Sequence, residues 1–307
     1  MPHARIRLIA PSGYAHDPAV MARGVARLRD VGCTVEGQEV LQRAQLRFAG
    51  TDAERASDIN VLATLDELPG IALATRGGYG AARLLGQLDY GALRERLAGS
   101  SLALVGHSDF TALQLALYAK SGVRSFAGPL LADLGAEPMP TFTWDHFWNT
   151  LRSDTSVATW SGAGDVELDV QGILWGGNLA VLCSLLGTPY FPRIEGGILF
   201  VEDLGEPPYR IERLFYQLQL SGVLARQRAL VVGDFHNCRP GPRDNGYGLD
   251  EAFAQLARMA GIPVIHGLAH GHASRQLTLP FGGKARLRVA GGEARLECND
   301  YPHLRTP

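Results

Sequence analysis

The sequence predicts an α/β protein built on a mostly parallel sheet. Short apolar runs of strand length alternate with amphipathic helical stretches through the first half. Glycine-bearing turns sit where each run hands over to a helix. The length of 307 residues, with 46% hydrophobic and 20% charged, suits two buried cores better than one.

The elements can be taken in order. Residues 6–10 read as a strand. Residues 19–31 read as a helix, with Val20, Met21, Val25 and Leu28 on its apolar face. A second helix is expected over 52–65, with Asp52 as N-cap behind the Gly50-Thr51 turn. Then come a strand at 71–75, a glycine turn and a helix at 81–88, followed by a strand at 102–105, a tight turn and a helix at 111–120. Strands separated by single helices imply right-handed βαβ units, with the functional loops at the carboxyl ends of the strands. Gly, Ala and Pro residues over 135–140 interrupt both patterns, and the aromatic cluster Phe142, Trp144, Phe147 and Trp148 follows. A linker is expected near 153–156, dividing the chain into domains 1–153 and 154–307. In the second domain, helices are expected at 179–186, 211–221 and 249–259, and strands at 197–201, 229–233 and 264–266. The tail at 276–279, 285–289 and 294–297 reads as short antiparallel strands joined by glycine turns.

Composition excludes several classes of function. A net charge of −2 with no basic tract gives nothing to attract nucleic acid or an anionic membrane. Cys33, Cys183, Cys238 and Cys298 are scattered and form no CxxC pair, which argues for reduced thiols in the cytosol rather than disulfides or a zinc site. Residues 1–7 lead straight toward a strand with no apolar stretch before a cleavage site, so a secretory signal is not expected. No segment is apolar over a bilayer-spanning length.

Four segments could carry chemistry. In Gly106-His107-Ser108-Asp109-Phe110 a serine sits on a sharp strand-to-helix turn, where the amide of Asp109 at the helix start could receive an oxyanion. Helix capping by Ser108 or Asp109 is the plainer alternative. In Thr75-Arg76-Gly77-Gly78-Tyr79-Gly80 the glycines let backbone amides approach a ligand, and the spacing fits neither a P-loop nor a dinucleotide fingerprint. The amides of Gly77 and Gly78 are candidate oxyanion donors, or the loop is simply a tight turn. Glu202-Asp203 ends an apolar strand and could orient an imidazole, bind metal or form a solvated acidic turn. His266, His270 and His272 lie within seven residues; a metal site is conceivable, but one catalytic base among incidental histidines fits the irregular spacing better. Together these segments supply a serine, a carboxylate and a histidine, the set that nucleophilic acyl transfer requires.

With those segments the sequence resembles the LD-carboxypeptidase family of serine peptidases. The resemblance also rests on Ile9-Ala10-Pro11-Ser12-Gly13, Phe48-Ala49-Gly50-Thr51-Asp52, Leu174-Trp175-Gly176-Gly177-Asn178-Leu179, Gly187-Thr188-Pro189, Gly271-His272 and Leu279-Pro280. It implies Ser108 as nucleophile, His272 as base and Glu202 as its orienting carboxylate. His270 takes a position that is usually apolar in the family. The resemblance further implies a flavodoxin-like N-terminal domain, a smaller β-rich α+β C-terminal domain and an active site between them. The implied reaction is release of terminal D-Ala from murein tetrapeptides at the L-centre of the diamino acid, during cytoplasmic cell-wall recycling. A homodimer with no metal or cofactor is also implied.

Trp175 and Asn178 are the substrate-binding candidates from the resembling segments. Arg76 joins them because a guanidinium beside the oxyanion donors can grip a terminal carboxylate. Two alternatives stand. One is a microcin-C immunity-type peptidase acting on peptide–adenylate conjugates, whose adenine-binding aromatic insertion is not evident between Gly172 and Glu202. The other is a non-catalytic ligand-binding α/β protein, which would not need this serine, histidine and glutamate.

Overall fold

The computed structural model describes residues 4–164 and 166–304. Residues 1–3, at the start of the stretch read as leading into a strand, lie outside the described residues. The first half runs β1 (Arg5–Ile9), α1 (Pro18–Asp30), β2 (Thr34–Glu36), α2 (Asp52–Asn60), β3 (Ile71–Ala74), α3 (Tyr90–Leu97), β4 (Ala103–Gly106), α4 (Thr111–Ser121) and β5 (Ser125–Ala127). These strands pair in parallel in the order 2-1-3-4-5, the flavodoxin-like arrangement. β3 and β4 are buried at every position, as strands covered by helices on both faces must be.

The short helix α5 (Leu131–Leu134) and the helix α6 (Thr141–Arg152) lead into a second, mixed sheet. Its elements are β6 (Thr155–Ser161), β7 (Leu168–Asn178), α7 (Leu179–Ser184), β8 (Gly197–Leu204), α8 (Pro208–Leu220), β9 (Gln227–His236), α9 (Leu249–Met259) and β10 (Val264–Ile265). Two later strands, β12 (Lys284–Ala290) and β13 (Glu293–Asn299), complete it in the order 10-9-8-7-12-13-6. β7 to β10 run parallel, and β7, β12, β13 and β6 pair antiparallel. Between them in sequence, β11 (Leu279–Phe281) leaves this sheet and pairs antiparallel with β5, at the edge of the first.

Several expectations need correction. Thr51, not Asp52, caps α2: its hydroxyl accepts from the Glu54 amide while Glu54 reaches back to the Thr51 amide, so the cap needs both residues. The expected helix at 81–88 is a 3-10 helix over Ala81–Gln87. The tail segment expected at 276–279 forms its strand at Leu279–Phe281 and joins the other sheet. The helix α6 was not foreseen: the aromatic residues form its buried face, with Phe147, Trp148 and Leu151 in the core. Among the described residues the second sheet has seven strands and the first six.

Candidate active site

The carboxyl ends of the two sheets face each other across a cleft of about 420 Å³. Its lining includes Arg76, Gly77, Gly78, His107, Ser108 and His272.

Ser108 follows β4 on a 3-10 turn that opens α4. Its φ of +60° is unusual for a residue with a side chain, and the strained turn lifts the hydroxyl clear of the sheet. The Asp109 amide lies at the start of this turn. The Asp109 carboxylate is buried below it, accepting the Ser12 hydroxyl at 2.6 Å and the Ala81 amide at 2.8 Å. One side chain thus pins together the loops after β1, β3 and β4. Arg55, fully buried, adds a second tie by donating to the carbonyls of Pro11 and Gly80 and pairing with Asp52. Gly77 is packed directly against the serine: a Cβ there would stand 3.0 Å from both Cβ and Oγ of Ser108. Only glycine lets that loop approach so closely.

The second sheet brings the carboxylate and the imidazole. Glu202 lies in β8 at a register shift between Val201 and Asp203, and a bulge of this kind re-aims side chains. It is fully buried, so the sequence alternative of a solvated acidic turn does not hold. His272 follows Gly271, whose φ is +144° and where a Cβ would stand 2.9 Å from Asp234 Cβ and 3.2 Å from Glu202 Cβ. This close approach sets His272 Nδ1 2.7 Å from Glu202 Oε2 and its Nε2 3.1 Å from Ser108 Oγ. A carboxylate can only accept, so Nδ1–H donates to Glu202, leaving the Nε2 lone pair for the serine proton.

Charge follows geometry. Burial alone would push Glu202 upward, but the hydrogen bond and charge of His272 outweigh it and hold the carboxylate below its usual range. Burial likewise pulls His272 down, and the Glu202 hydrogen bond and charge, with Asp133 and Asp203 behind it, bring the imidazole above its ordinary 6.5. Asp203 is pushed up to about 6, chiefly by burial, and accepts from Asn178 and the Ala180 and Leu204 amides.

The other named residues separate. Arg76 lines the cleft; among the described residues its guanidinium reaches only the Tyr14 carbonyl, at 3.4 Å, and forms no ion pair. Asn178 lines the cleft edge, but its polar atoms are taken by Asp203 and by capping α7 at Val181. Trp175 must be withdrawn as a substrate contact: it is completely buried, donates to Gln227 at 2.9 Å and packs edge-on against Phe191. Its motif signals the strand core instead. His270 is also core, edge-on to Phe200 and bonded to the Leu277 carbonyl at 3.1 Å, with burial pulling it to about 4. His266 is held against Phe253. Among the described residues no group of three or more His, Cys, Asp or Glu side chains is placed to hold a metal ion, and no helix is long and apolar enough to cross a membrane.

Sequence reasoning missed the carboxylate of Asp109, the tie made by Arg55, and a second pair in which His107 Nε2 lies 2.9 Å from Asp133 Oδ2. Asp109 and His107 stood in plain view beside Ser108; for Asp133 no local signal existed.

Comparison with known proteins settles the family. The models of the LD-carboxypeptidase N-terminal and C-terminal domains match residues 6–128 and 171–287. The chain belongs to the LD-carboxypeptidase family. The crystal structure of a muramoyltetrapeptide carboxypeptidase from Oxalobacter formigenes superposes with a TM-score of 0.89 at 40% identity, over 97% of this chain and 99% of that one. The murein tetrapeptide carboxypeptidase of Pseudomonas aeruginosa is 32% identical over 92% of each chain. The microcin C7 self-immunity protein MccF of Escherichia coli is 30% identical over 86% of this chain and 84% of its own.

Proposed function

We propose that this protein is a serine-type carboxypeptidase that removes the terminal D-Ala of murein tetrapeptides, cutting after the L-centre of the diamino acid. The observation that carries the reading is the unbroken chain Ser108 Oγ–His272–Glu202 at hydrogen-bonding distance, in a member of the LD-carboxypeptidase family. As Ser108 Oγ attacks the scissile carbonyl, its proton passes to His272 Nε2, and the imidazolium is held by Glu202. The amides of Asp109 and of the Gly77-Gly78 turn receive the oxyanion. His272 then gives the proton to the departing amine, water repeats the sequence on the acyl-serine, and the tripeptide leaves. No metal or cofactor enters these steps.

Arg76 is the proposed partner of the substrate's terminal carboxylate, being a cleft-lining cation without an internal ion pair among the described residues. In this reading residues 1–153 carry the nucleophile and 154–307 the glutamate and histidine, and the enzyme works as a cytoplasmic homodimer in cell-wall recycling. The kinship with MccF keeps a peptide–adenylate conjugate as the comparison substrate. The test is incubation with L-Ala-γ-D-Glu-meso-diaminopimelate-D-Ala and assay of free D-Ala. Release of D-Ala that is lost in Ser108→Ala supports the reading; no release, together with cleavage of an aminoacyl-sulfamoyl adenosine, would replace it.

A further inference from the structure

Beside the Glu202–His272 pair lies a second imidazole and carboxylate. His107, the residue before Ser108, is buried, and its ring centroid is 5.1 Å from that of His272 at an interplanar angle of 60°. Its Nε2 is 2.9 Å from Asp133 Oδ2, and the same oxygen accepts the Leu130 amide at 2.8 Å. The Asp133 segment is itself fixed. The Ala132 amide bonds the Thr75 carbonyl at the end of β3, at 3.1 Å, and Arg27 of α1 donates to the Leu134 carbonyl at 2.7 Å. Asp133 thus braces His107, and His107 presents a ring to the flank of His272.

We propose that Asp133, acting through His107, is a positioning residue for His272 in acyl transfer. The proposal rests on the reading of His272 as the base. His272 is tied along its ring plane by Glu202 at one nitrogen and Ser108 at the other. Those two bonds hold the edges of the ring, and the His107 ring packed at its side limits tilting about the axis joining them. Because Asp133 holds His107 Nε2, His107 is committed to this brace and not to Ser108, whose hydroxyl meets only His272 among the described residues.

The arrangement also has an electrostatic consequence. When the serine proton reaches His272, positive charge forms between Glu202 on one side and, on the other, the half-exposed Asp133 carboxylate, which lines the cleft beside His107. The groups facing this imidazole are Glu202 and Asp203 from β8, Asp133 from α5, Asp234 from β9, His107 before α4, and His270 from its own segment. Asp203 is pushed up to about 6 and His270 down to about 4, both chiefly by burial. Asp133 is held below its ordinary range: burial pushes it upward, and the charge and hydrogen bond of His107 outweigh that. After Glu202 it is the next negative charge acting on the base.

The experiment is an NMR titration of isotope-labelled histidines in the wild-type protein, Asp133→Asn, His107→Phe and His107→Gln, with steady-state kinetics on the tetrapeptide. Asp133→Asn keeps the shape and the Leu130 contact but removes the charge. The His272 midpoint should fall by about half to one pH unit, and kcat should drop about tenfold with KM nearly constant. His107→Phe keeps a ring but cuts the link to Asp133, and should lose kcat. His107→Gln restores a donor to Asp133 and should recover a larger share of kcat than Phe does. An unchanged His272 midpoint in Asp133→Asn, with a native thermal melt, would reduce Asp133 to a helix cap and overturn the proposal. If Asp133→Asn does not fold, equal kcat in wild type and His107→Phe overturns it instead. A wild-type protein that releases no D-Ala would sink the functional reading alone, because the titration of His272 reads out without turnover.

Discussion

The two rims of the cleft are built by opposite means. On the first-sheet rim, position is set by backbone. Ser108 holds a left-handed φ, Gly77 presses against it without a side chain, and Asp109 and Arg55 tie the neighbouring loops through amides and carbonyls. On the second-sheet rim, position is set by charge. A fully buried Glu202 and a largely buried His272 shift each other: the imidazole holds the carboxylate below its usual range, and the carboxylate brings the imidazole above its own. The difference teaches that the nucleophile rim answers chiefly to a change of shape, whereas the base rim answers to a change of charge as well.

The sharpest break is deletion at each rim. Ser108→Ala should lower kcat by about 10⁴–10⁶-fold with the fold intact, and His272→Ala should come close to it, because triad members act as a unit. His270→Ala supplies the contrast. This histidine lies two residues from the base but points into the core, so kcat should change little while the thermal midpoint falls by a few degrees. Equal kinetic damage from His270→Ala and His272→Ala, restored by added zinc, would mean that the histidines act together on a metal.

Glu202→Gln tests the charge rim without altering its shape. The base must be neutral to accept the serine proton, so kcat/KM rises as pH climbs through the His272 pKa. Glu202 holds that pKa above 6.5, which places the acid limb of the wild-type profile above 6.5. Removing the charge should move the limb to lower pH and cut kcat by about 10²–10⁴-fold, because the tautomer is no longer fixed. A limb that stays in place would assign the profile to another group. Among the cleft residues, a smaller effect is expected at Arg76, on the backbone rim. Arg76→Lys keeps the charge but loses the planar fork, so KM should rise about tenfold with kcat largely held, and an amidated tetrapeptide should fail with the wild type. An unchanged KM would clear Arg76 of reading the carboxylate.

The central strands of the first sheet, β1, β3 and β4, were legible in the sequence because each is a local unit with the turn and helix that follow, whereas β2, β5 and α3 were not read. Fully buried strands such as β3 and β4 read as plain apolar runs. The serine turn and the histidine were legible for the same reason, as short strings whose chemistry is carried by neighbours in sequence. What stayed hidden depends on partners far along the chain. β7 begins half-exposed against β12 and ends buried between sheet neighbours and α4, so its pattern changes midway and no single period describes it. Trp175 in that strand looked like a ligand contact because its motif borders the site, although its indole turns inward to Gln227. The helical spacing of Phe147, Trp148 and Leu151 was a usable signal for α6, masked by the prolines before it. Asp133 and the carboxylate of Asp109 could not be assigned, since their partners lie 26 and 97 residues away.

The placement of β11 bears on how the molecule can move and be cut. Because this strand returns from the second half to cover the edge of β5, the chain crosses between the sheets more than once, and severing residues 153–154 would not release two free parts. A fragment ending there would expose β5 as an unpaired edge, open to pairing with other copies and to precipitation. In the intact chain β11 works as a clasp. Parting the jaws of the cleft means stripping a strand from its ladder, so Ser108 and His272 meet as a result of folding itself, before any substrate arrives.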